Sequence, residues 1–164
     1  MEHVWSPMST NTFRTSRSDT LATVMEGNVA GSCLCKGVQY YVPDKPLQWF
    51  RCHCSMCRKA IGSEHCTFIA VNDTNLEYKS KKTLKEFQSS EHVVRAFCST
   101  CGCSISMKYD SEVDLIWFNA ATLDVDLPVV DPHQVYLKDR VPYLDIMSQA
   151  PSAIDQSMCA DKDL

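Results

Sequence analysis

Residues 51–63 have the sequence RCHCSMCRKAIGS, which places three cysteines within six positions. Their spacing is C-x-C-x-x-C, at Cys52, Cys54 and Cys57, and two basic residues follow at once. Structural zinc sites usually draw on cysteines in pairs, so a group of three allows two interpretations. The stretch is either half of a closed zinc site with a spare thiol, or a separate site that lacks its fourth ligand.

The remaining cysteines fall into two further groups and two single positions, out of 10 in the chain: Cys33-x-Cys35, Cys98-x-x-Cys101-x-Cys103, Cys66 and Cys159. In a strand, C-x-C places both side chains on one face. Across a tight turn, C-x-x-C lets two thiolates converge on one ion, and a glycine after the second cysteine eases the turn.

Two divisions of these thiols are compatible with the spacing. The C-x-x-C pairs Cys54/Cys57 and Cys98/Cys101 would together form an ordinary zinc ribbon. That arrangement leaves Cys33, Cys35 and Cys52 unexplained. The seven clustered thiols also divide into a closed site of four and an open site of three, and an open position is the condition for zinc chemistry. Spacing alone does not choose between these divisions.

Composition and charge restrict the class of protein. The net charge of −4 gives no basic footprint, so we expect no nucleic-acid partner. No apolar run approaches the ~18 residues of a membrane span, so we expect no membrane partner. The N-terminus lacks the apolar core of a secretory signal, and its Ser, Thr and Arg content resembles a transit peptide only weakly. We therefore expect a cytoplasmic protein with reduced cysteines.

The pattern along the chain indicates a mainly β domain with at most one or two short helices. We predict a flexible tail over 1–26, the folded domain over 27–147 and a second flexible tail over 148–164. One helix is predicted over Ser55–Ile61, with Ser55 as N-cap and Gly62 at its end. Short alternating or apolar segments predict strands at 37–42, 66–71, 75–80, 83–88, 92–98, 104–109 and 113–120.

Several single residues have a structural and a functional interpretation. Cys66 begins an apolar strand and is expected to be a buried small hydrophobe. Cys159 lies in the predicted tail as a free thiol. Cys103 shares a strand face with Cys101 and could compete as a ligand. His53 alternates away from the two cysteines beside it and is not expected to be a ligand. Trp117 and Phe118 are expected in the core.

Four blocks of the sequence resemble the glutathione-dependent formaldehyde-activating enzyme family, whose domain is shared with centromere protein V. The blocks are GSCLCKGVQY (31–40), CHCSMCRKAIGS (52–63), FCSTCGC (97–103) and ATLD followed by PHQVY (121–124 and 132–136). This sequence has Lys36 where the family usually has glycine, Cys103 where a small residue is common, and Ala121 before TLD. His133 matches a late histidine of the family, for which we expect a structural role before a general-base role.

The resemblance implies an Mss4-like fold of short antiparallel sheets around two zinc ions per chain. It assigns Cys33, Cys35, Cys98 and Cys101 to a structural zinc, and Cys52, Cys54 and Cys57 to a second zinc with an open position. The implied reaction is addition of the glutathione thiol to formaldehyde, giving S-hydroxymethylglutathione, which is carbon–sulfur lyase chemistry in reverse. The implied partner is glutathione or a glutathione conjugate.

Basic and hydroxyl side chains next to the triplet are candidate substrate contacts. Arg58 and Lys59 could offset thiolate charge or hold a carboxylate, and Ser63 could hydrogen-bond substrate. Their structural alternatives are a solvated helix face and a helix-terminal turn. Two other functions stay open: a non-catalytic protein-interaction module like centromere protein V, and a zinc or glutathione carrier. The first would be expected to have a long basic arm, whereas the N-terminal segment has only Arg14 and Arg17.

Overall fold

The computed structural model describes residues 27–126 and 132–144. These residues form ten strands and one α-helix. The strands are β1 (Val29–Ser32), β2 (Val38–Val42), β3 (Gln48–Cys52), β4 (Cys66–Asn72), β5 (Glu77–Lys81), β6 (Leu84–Ser90), β7 (Val93–Cys98), β8 (Ser104–Tyr109), β9 (Leu115–Asn119) and β10 (His133–Val135). The helix α1 spans Ser55–Ile61, and short 3-10 turns lie at Asp73–Asn75, Ala120–Thr122 and Leu137–Asp139.

The strands form two sheets. Three of them pair in the order β1-β2-β5, and the other seven in the order β10-β3-β4-β9-β8-β7-β6. Every pairing is antiparallel except that of β10 with β3, which is parallel. The mainly β, Mss4-like fold class with one short helix is therefore confirmed, with one parallel edge strand that the sequence did not predict.

Two apolar clusters lie on opposite faces of the seven-stranded sheet. One cluster fills the space against the three-stranded sheet, where Tyr40 stacks on Phe118 with ring centroids 3.8 Å apart. The other contains Phe68, Met107 and Trp117. Side chains alternate along a strand, so neighbours such as Trp117 and Phe118 enter different clusters. Both were expected in the core, and both are buried there.

The predicted strands and helix agree closely with the observed elements, and two details are corrected. The N-cap of α1 is Cys54, whose sulfur accepts a hydrogen bond from the Cys57 N–H at 3.3 Å, and not Ser55, which is the first helical residue. Gly62 ends the helix in the left-handed conformation, as predicted. Strands β1, β3 and β10 were not predicted, because their short segments lack the β-rich alternation on which the prediction relied.

The two predicted tails and Cys159 lie outside the described residues, so the domain limits at 26 and 148 stay predictions. Within the described residues, the single α-helix is far shorter than a membrane crossing requires.

Candidate metal centres

The sulfurs of Cys33, Cys35, Cys98 and Cys101 form one compact group, all within 4.8 Å of one another. The Cys35 sulfur lies 3.6 Å from the sulfurs of both Cys33 and Cys98. Ligands held about 2.3 Å from a tetrahedral zinc ion are about 3.8 Å apart, so this spacing fits a four-thiolate site. A site with four protein ligands is closed, which is the arrangement of structural zinc.

Turns bring these four cysteines together, and only Cys98 lies in a strand. Cys33 and Cys35 follow β1 in a turn where Lys36 has a φ of 58° and its N–H bonds to the Cys33 carbonyl. The prediction that C-x-C acts on one strand face is therefore wrong for this pair, since the chain has already left the strand. Gly102, at a φ of 73°, supplies the turn after Cys101 as the sequence predicted.

Neutral hydrogen-bond donors surround the four-cysteine cluster. The Val38 N–H lies 3.2 Å from the Cys33 sulfur, and the Thr83 hydroxyl lies 3.0 Å from the Cys98 sulfur. Burial opposes ionisation of Cys98, yet hydrogen bonds from Thr83 and from the N–H groups of Cys101 and Thr100 lower the pKa of its thiol to about 6. Donors aimed at sulfur favour the thiolate, which is the form that binds metal.

The three sulfurs of Cys52, Cys54 and Cys57 form a second group, also within 4.8 Å of one another. Cys52 ends β3, Cys54 caps α1 and Cys57 lies one turn into the helix, so a strand end and a helix start converge. Hydrogen bonds from Cys52 and Cys57 lower the pKa of the Cys54 thiol and favour its thiolate. Among the described residues, no fourth His, Cys, Asp or Glu joins this group.

A buried cation contacts the triplet, and the sequence analysis missed it. Arg95 on β7 is 5 % exposed, and its Nη2 donates to the Cys57 sulfur at 3.4 Å. The signal was present in the sequence, because Arg95 stands in phase with Val93 on the apolar segment HVVRAFC. Cys98 stands out of phase with them and enters the other face of the sheet.

The segment after residue 131 fixes the loop that carries the triplet. Gln134 on β10 lies 2.9 Å from the His53 Nε2, and the His53 N–H donates to the Val135 carbonyl at 3.1 Å. His53 is 2 % exposed and lies outside both sulfur groups, as its alternation predicted. Its ring holds the loop between two candidate ligands in place.

An open cleft of about 540 Å³ is lined by residues of β3, β4 and the segment between α1 and β4, and none of the three triplet cysteines lines it. Its lining includes Arg51, Ser63, His65 and Cys66. Cys66 pairs with Cys52 in the sheet register, so the cleft reaches the strand end that carries a candidate ligand. Burial, and then the positive charge of Arg51, lower the pKa of His65.

The predicted substrate contacts are only partly brought together. Ser63 lines the cleft, whereas Arg58 and Lys59 lie outside its lining. The Arg58 Nε donates to the His53 carbonyl at 3.1 Å, and Lys59 is exposed on α1. Arg58 is therefore tied to the triplet's own loop.

The remaining candidates are placed as follows. Cys66 is buried, as expected, and burial raises the pKa of its thiol. Cys103 is half-buried and stands outside both sulfur groups, although it neighbours Cys101 in sequence. His133 is exposed on β10, where it is in register with Phe50. All nine cysteines of the described residues are free thiols.

The donor sets of both groups suit zinc. Thiolate is a preferred zinc ligand, and the four-sulfur spacing matches a tetrahedral ion. For the triplet, the independent observation is Arg95, since a buried guanidinium against a cysteine sulfur requires negative charge there. The fold and the two sulfur groups thus define a mainly β protein with one four-thiol and one three-thiol group that could each hold a metal ion.

Comparisons with known proteins identify the family. The sequence model described as "Glutathione-dependent formaldehyde-activating enzyme" matches residues 28–139, more than half of the chain. The chain belongs to that family. A crystal structure of a Rhodobacter sphaeroides protein from structural genomics superposes with a TM-score of 0.54 at 23% identity, covering 65% of this chain and 99% of the other. That likeness supports the fold alone, and no curated protein matches the chain.

Proposed function

We propose that the protein is a zinc-dependent carbon–sulfur lyase that acts on glutathione adducts, with formaldehyde as the first electrophile to test. The observation that carries the proposal is a group of three thiols with a buried cation against it, in a chain of this family. A closed four-thiolate site elsewhere in the same domain leaves the triplet free for chemistry.

The reaction needs no further reactant. The glutathione sulfur forms a bond to the aldehyde carbon, the carbonyl π pair moves to oxygen, and the thiol proton ends on that oxygen. The product is S-hydroxymethylglutathione, and the lyase direction reverses each step. Zinc held by Cys52, Cys54 and Cys57 would supply a lowered pKa for the substrate thiol, and thus a nucleophile at neutral pH.

The cleft is the proposed location of the peptide part of glutathione. Its lining includes Cys66, the register partner of Cys52, and carries the Arg51 guanidinium and the Ser63 hydroxyl. Guanidinium and hydroxyl groups suit the two carboxylates and the amide groups of a tripeptide. We keep Arg58 and Lys59 as contacts for a ligand that extends past α1, with Lys59 the more accessible of the two.

Cys54→Ser tests the proposal. Serine is a good N-cap, so this change removes one candidate ligand and preserves the start of α1. We expect loss of about one of two zinc ions per chain by metal analysis, because a triplet cannot hold zinc with two thiolates. We also expect a fall of at least about 100-fold in the catalysed exchange of formaldehyde carbon with glutathione, measured by NMR after subtracting the uncatalysed rate.

Cys103→Ser is the matched control, since it exchanges the same atoms at a half-buried thiol outside both groups. It should retain both zinc ions and the exchange rate. If Cys54→Ser kept the full exchange rate, the triplet would not be the site of reaction.

A non-catalytic zinc- or glutathione-binding or protein-interaction module, like centromere protein V, is the second candidate. One observation favours it: a groove of about 660 Å³ beside Cys35 is lined by Lys36, Lys79, Lys81 and Lys82, which suits an acidic protein surface. A wild-type protein that holds two zinc ions and binds glutathione without accelerating the exchange would favour this candidate. Under both, we propose a cytoplasmic domain over 27–147, where thiols stay reduced.

A further inference from the structure

Arg95 is anchored at both ends of its guanidinium. Its Nη2 donates to the Cys57 sulfur at 3.4 Å, and its Nε donates to the Ser89 hydroxyl at 3.2 Å. Ser89 in turn donates to the Val93 carbonyl at 3.0 Å. The side chain therefore reaches the triplet in a fixed orientation from the neighbourhood of the β6–β7 turn.

The charge of Arg95 needs a negative partner inside the protein. A guanidinium stays protonated in proteins, and a buried unpaired charge is strongly unfavourable. Among the described residues, no carboxylate forms an ion pair with Arg95. The negative charge beside it is that of the cysteine triplet, through the Cys57 sulfur.

The four-cysteine cluster has no such cation on its sulfurs within the described part of the chain. Its contacts are neutral N–H and hydroxyl groups, and the nearby Lys36 Nζ donates to Ser32 and Asp124. Zinc with four thiolates has a net charge of about −2. Its coordination is complete, so no charge of a further ligand has to be balanced. Zinc with three thiolates has a net charge of about −1, and an anionic fourth ligand would bring it to about −2.

We propose that Arg95 is a positioning residue of the open site. Its guanidinium balances the charge of the metal-loaded triplet, strengthens metal retention there, and selects an anionic thiolate over a neutral fourth ligand. This inference rests on the proposed function, because it assumes that the triplet holds metal and takes a thiol.

The test compares Arg95→Met, which removes the charge at similar volume, with Arg95→Lys, which keeps it. First, each protein is dialysed against graded concentrations of EDTA, and zinc per chain is measured. We expect Arg95→Met to lose the triplet zinc at an EDTA concentration at least about tenfold lower than wild type, while the other zinc is retained equally. Arg95→Lys should stay near wild type.

Second, cobalt-substituted protein is titrated with glutathione and, separately, with imidazole as a neutral ligand, following the cobalt absorption bands. Loss of the charge should raise the glutathione midpoint about tenfold and the imidazole midpoint much less. A merely structural defect would weaken both ligands equally and would overturn the inference. If Arg95→Met does not fold, the two titrations are made on Arg95→Lys. Equal weakening of glutathione binding and imidazole binding in that variant would also overturn the inference.

Lys108→Met is the matched control. Lys108 lies on the neighbouring strand β8, and its Nζ pairs with Asp73, so this change removes a cation that has its own partner. It should leave both zinc ions and both midpoints unchanged. If Arg95→Met kept the metal retention and the glutathione and imidazole midpoints of wild type, the inference about Arg95 would be overturned and the proposed function would stand. A wild-type protein with one zinc and no cobalt response to glutathione would overturn the proposed function itself.

Discussion

The two cysteine clusters lie on opposite faces of the seven-stranded sheet, and they differ in their surroundings more than in their sulfurs. Neutral donors surround the cluster of four, and Cys98 within it is fully buried. The cluster of three meets a buried guanidinium, which donates to the Cys57 sulfur. The comparison teaches that the two groups differ in electrostatic surroundings as well as in ligand number, because a buried cation without a carboxylate partner contacts only the cluster of three among the described residues.

Each cluster is also held by a different late segment of the chain. The Thr122 hydroxyl lies 2.7 Å from the Tyr40 hydroxyl, and Asp124 accepts hydrogen bonds from Ser32 and Lys36, so the ATLD block stabilises the β1–β2 hairpin whose turn carries Cys33 and Cys35. The PHQVY block instead adds β10 beside β3 and contacts the loop of the triplet. Two blocks that are weak as motifs therefore have separate physical roles.

The largest expected effect comes from Cys98→Ala. It removes a buried sulfur from the cluster of four, so the domain should lose at least about 4 kcal/mol of unfolding free energy, measured by denaturant titration. Cys54→Ser, on the triplet, should change the unfolding free energy by less than about 1.5 kcal/mol. Equal losses in the two variants would contradict the division into a structural and an open centre.

Gly31→Ala should disturb only the hairpin of β1 and β2, whose turn carries Cys33 and Cys35. A Cβ at this position would lie 2.2 Å from the Tyr40 ring and 2.6 Å from the Thr122 carbonyl oxygen, and neither neighbour can move freely, since Tyr40 stacks on Phe118. We expect a loss of about 3 kcal/mol in unfolding free energy.

Chelator titration of Gly31→Ala sharpens the comparison at temperatures where the variant stays folded. Zinc should leave the four-cysteine cluster more easily than in wild type, while the triplet keeps its wild-type retention, because the hairpin and the triplet belong to different apolar clusters. Loss of zinc from the triplet at the same chelator concentration would show that the two centres are coupled.

The fold class and the helix beside the triplet could be predicted from the sequence because their signals are local. Alternation identifies strands such as β6 and β8, and Gly62 identifies the end of α1. Strands β1 and β10 could not be predicted in this way. β1 has only four residues and β10 only three, and β10 is defined by its pairing with β3, which lies far from it in the sequence.

The same difference between local and long-range signals applies to the two cysteine sites. The sequence places the cysteines in groups, but the contacts that distinguish the two centres join residues far apart in the chain, such as Arg95 with Cys57 and Gln134 with His53. Spacing identified the cysteine groups but left their division open, the family resemblance implied the groups of four and three that the structure brings together, and neither indicated the electrostatic surroundings. Only an arginine in the buried phase of an apolar strand hinted at the cation, and that hint does not name the cysteine it contacts.

The smallest expected effect concerns Lys36, where the family usually has glycine. Its φ of 58° is left-handed, which disfavours any residue with a Cβ by about 1 kcal/mol, and its exposed ion pair with Asp124 at 3.1 Å returns less than about 1 kcal/mol. Lys36→Gly should therefore change the unfolding free energy by less than about 1 kcal/mol. Lys36→Ala, which loses the ion pair and keeps the strained backbone, should be less stable than Lys36→Gly by about 1 kcal/mol. If the two variants were equally stable, backbone strain would not be what glycine relieves at this turn, and the cluster of four would tolerate its lysine for another reason.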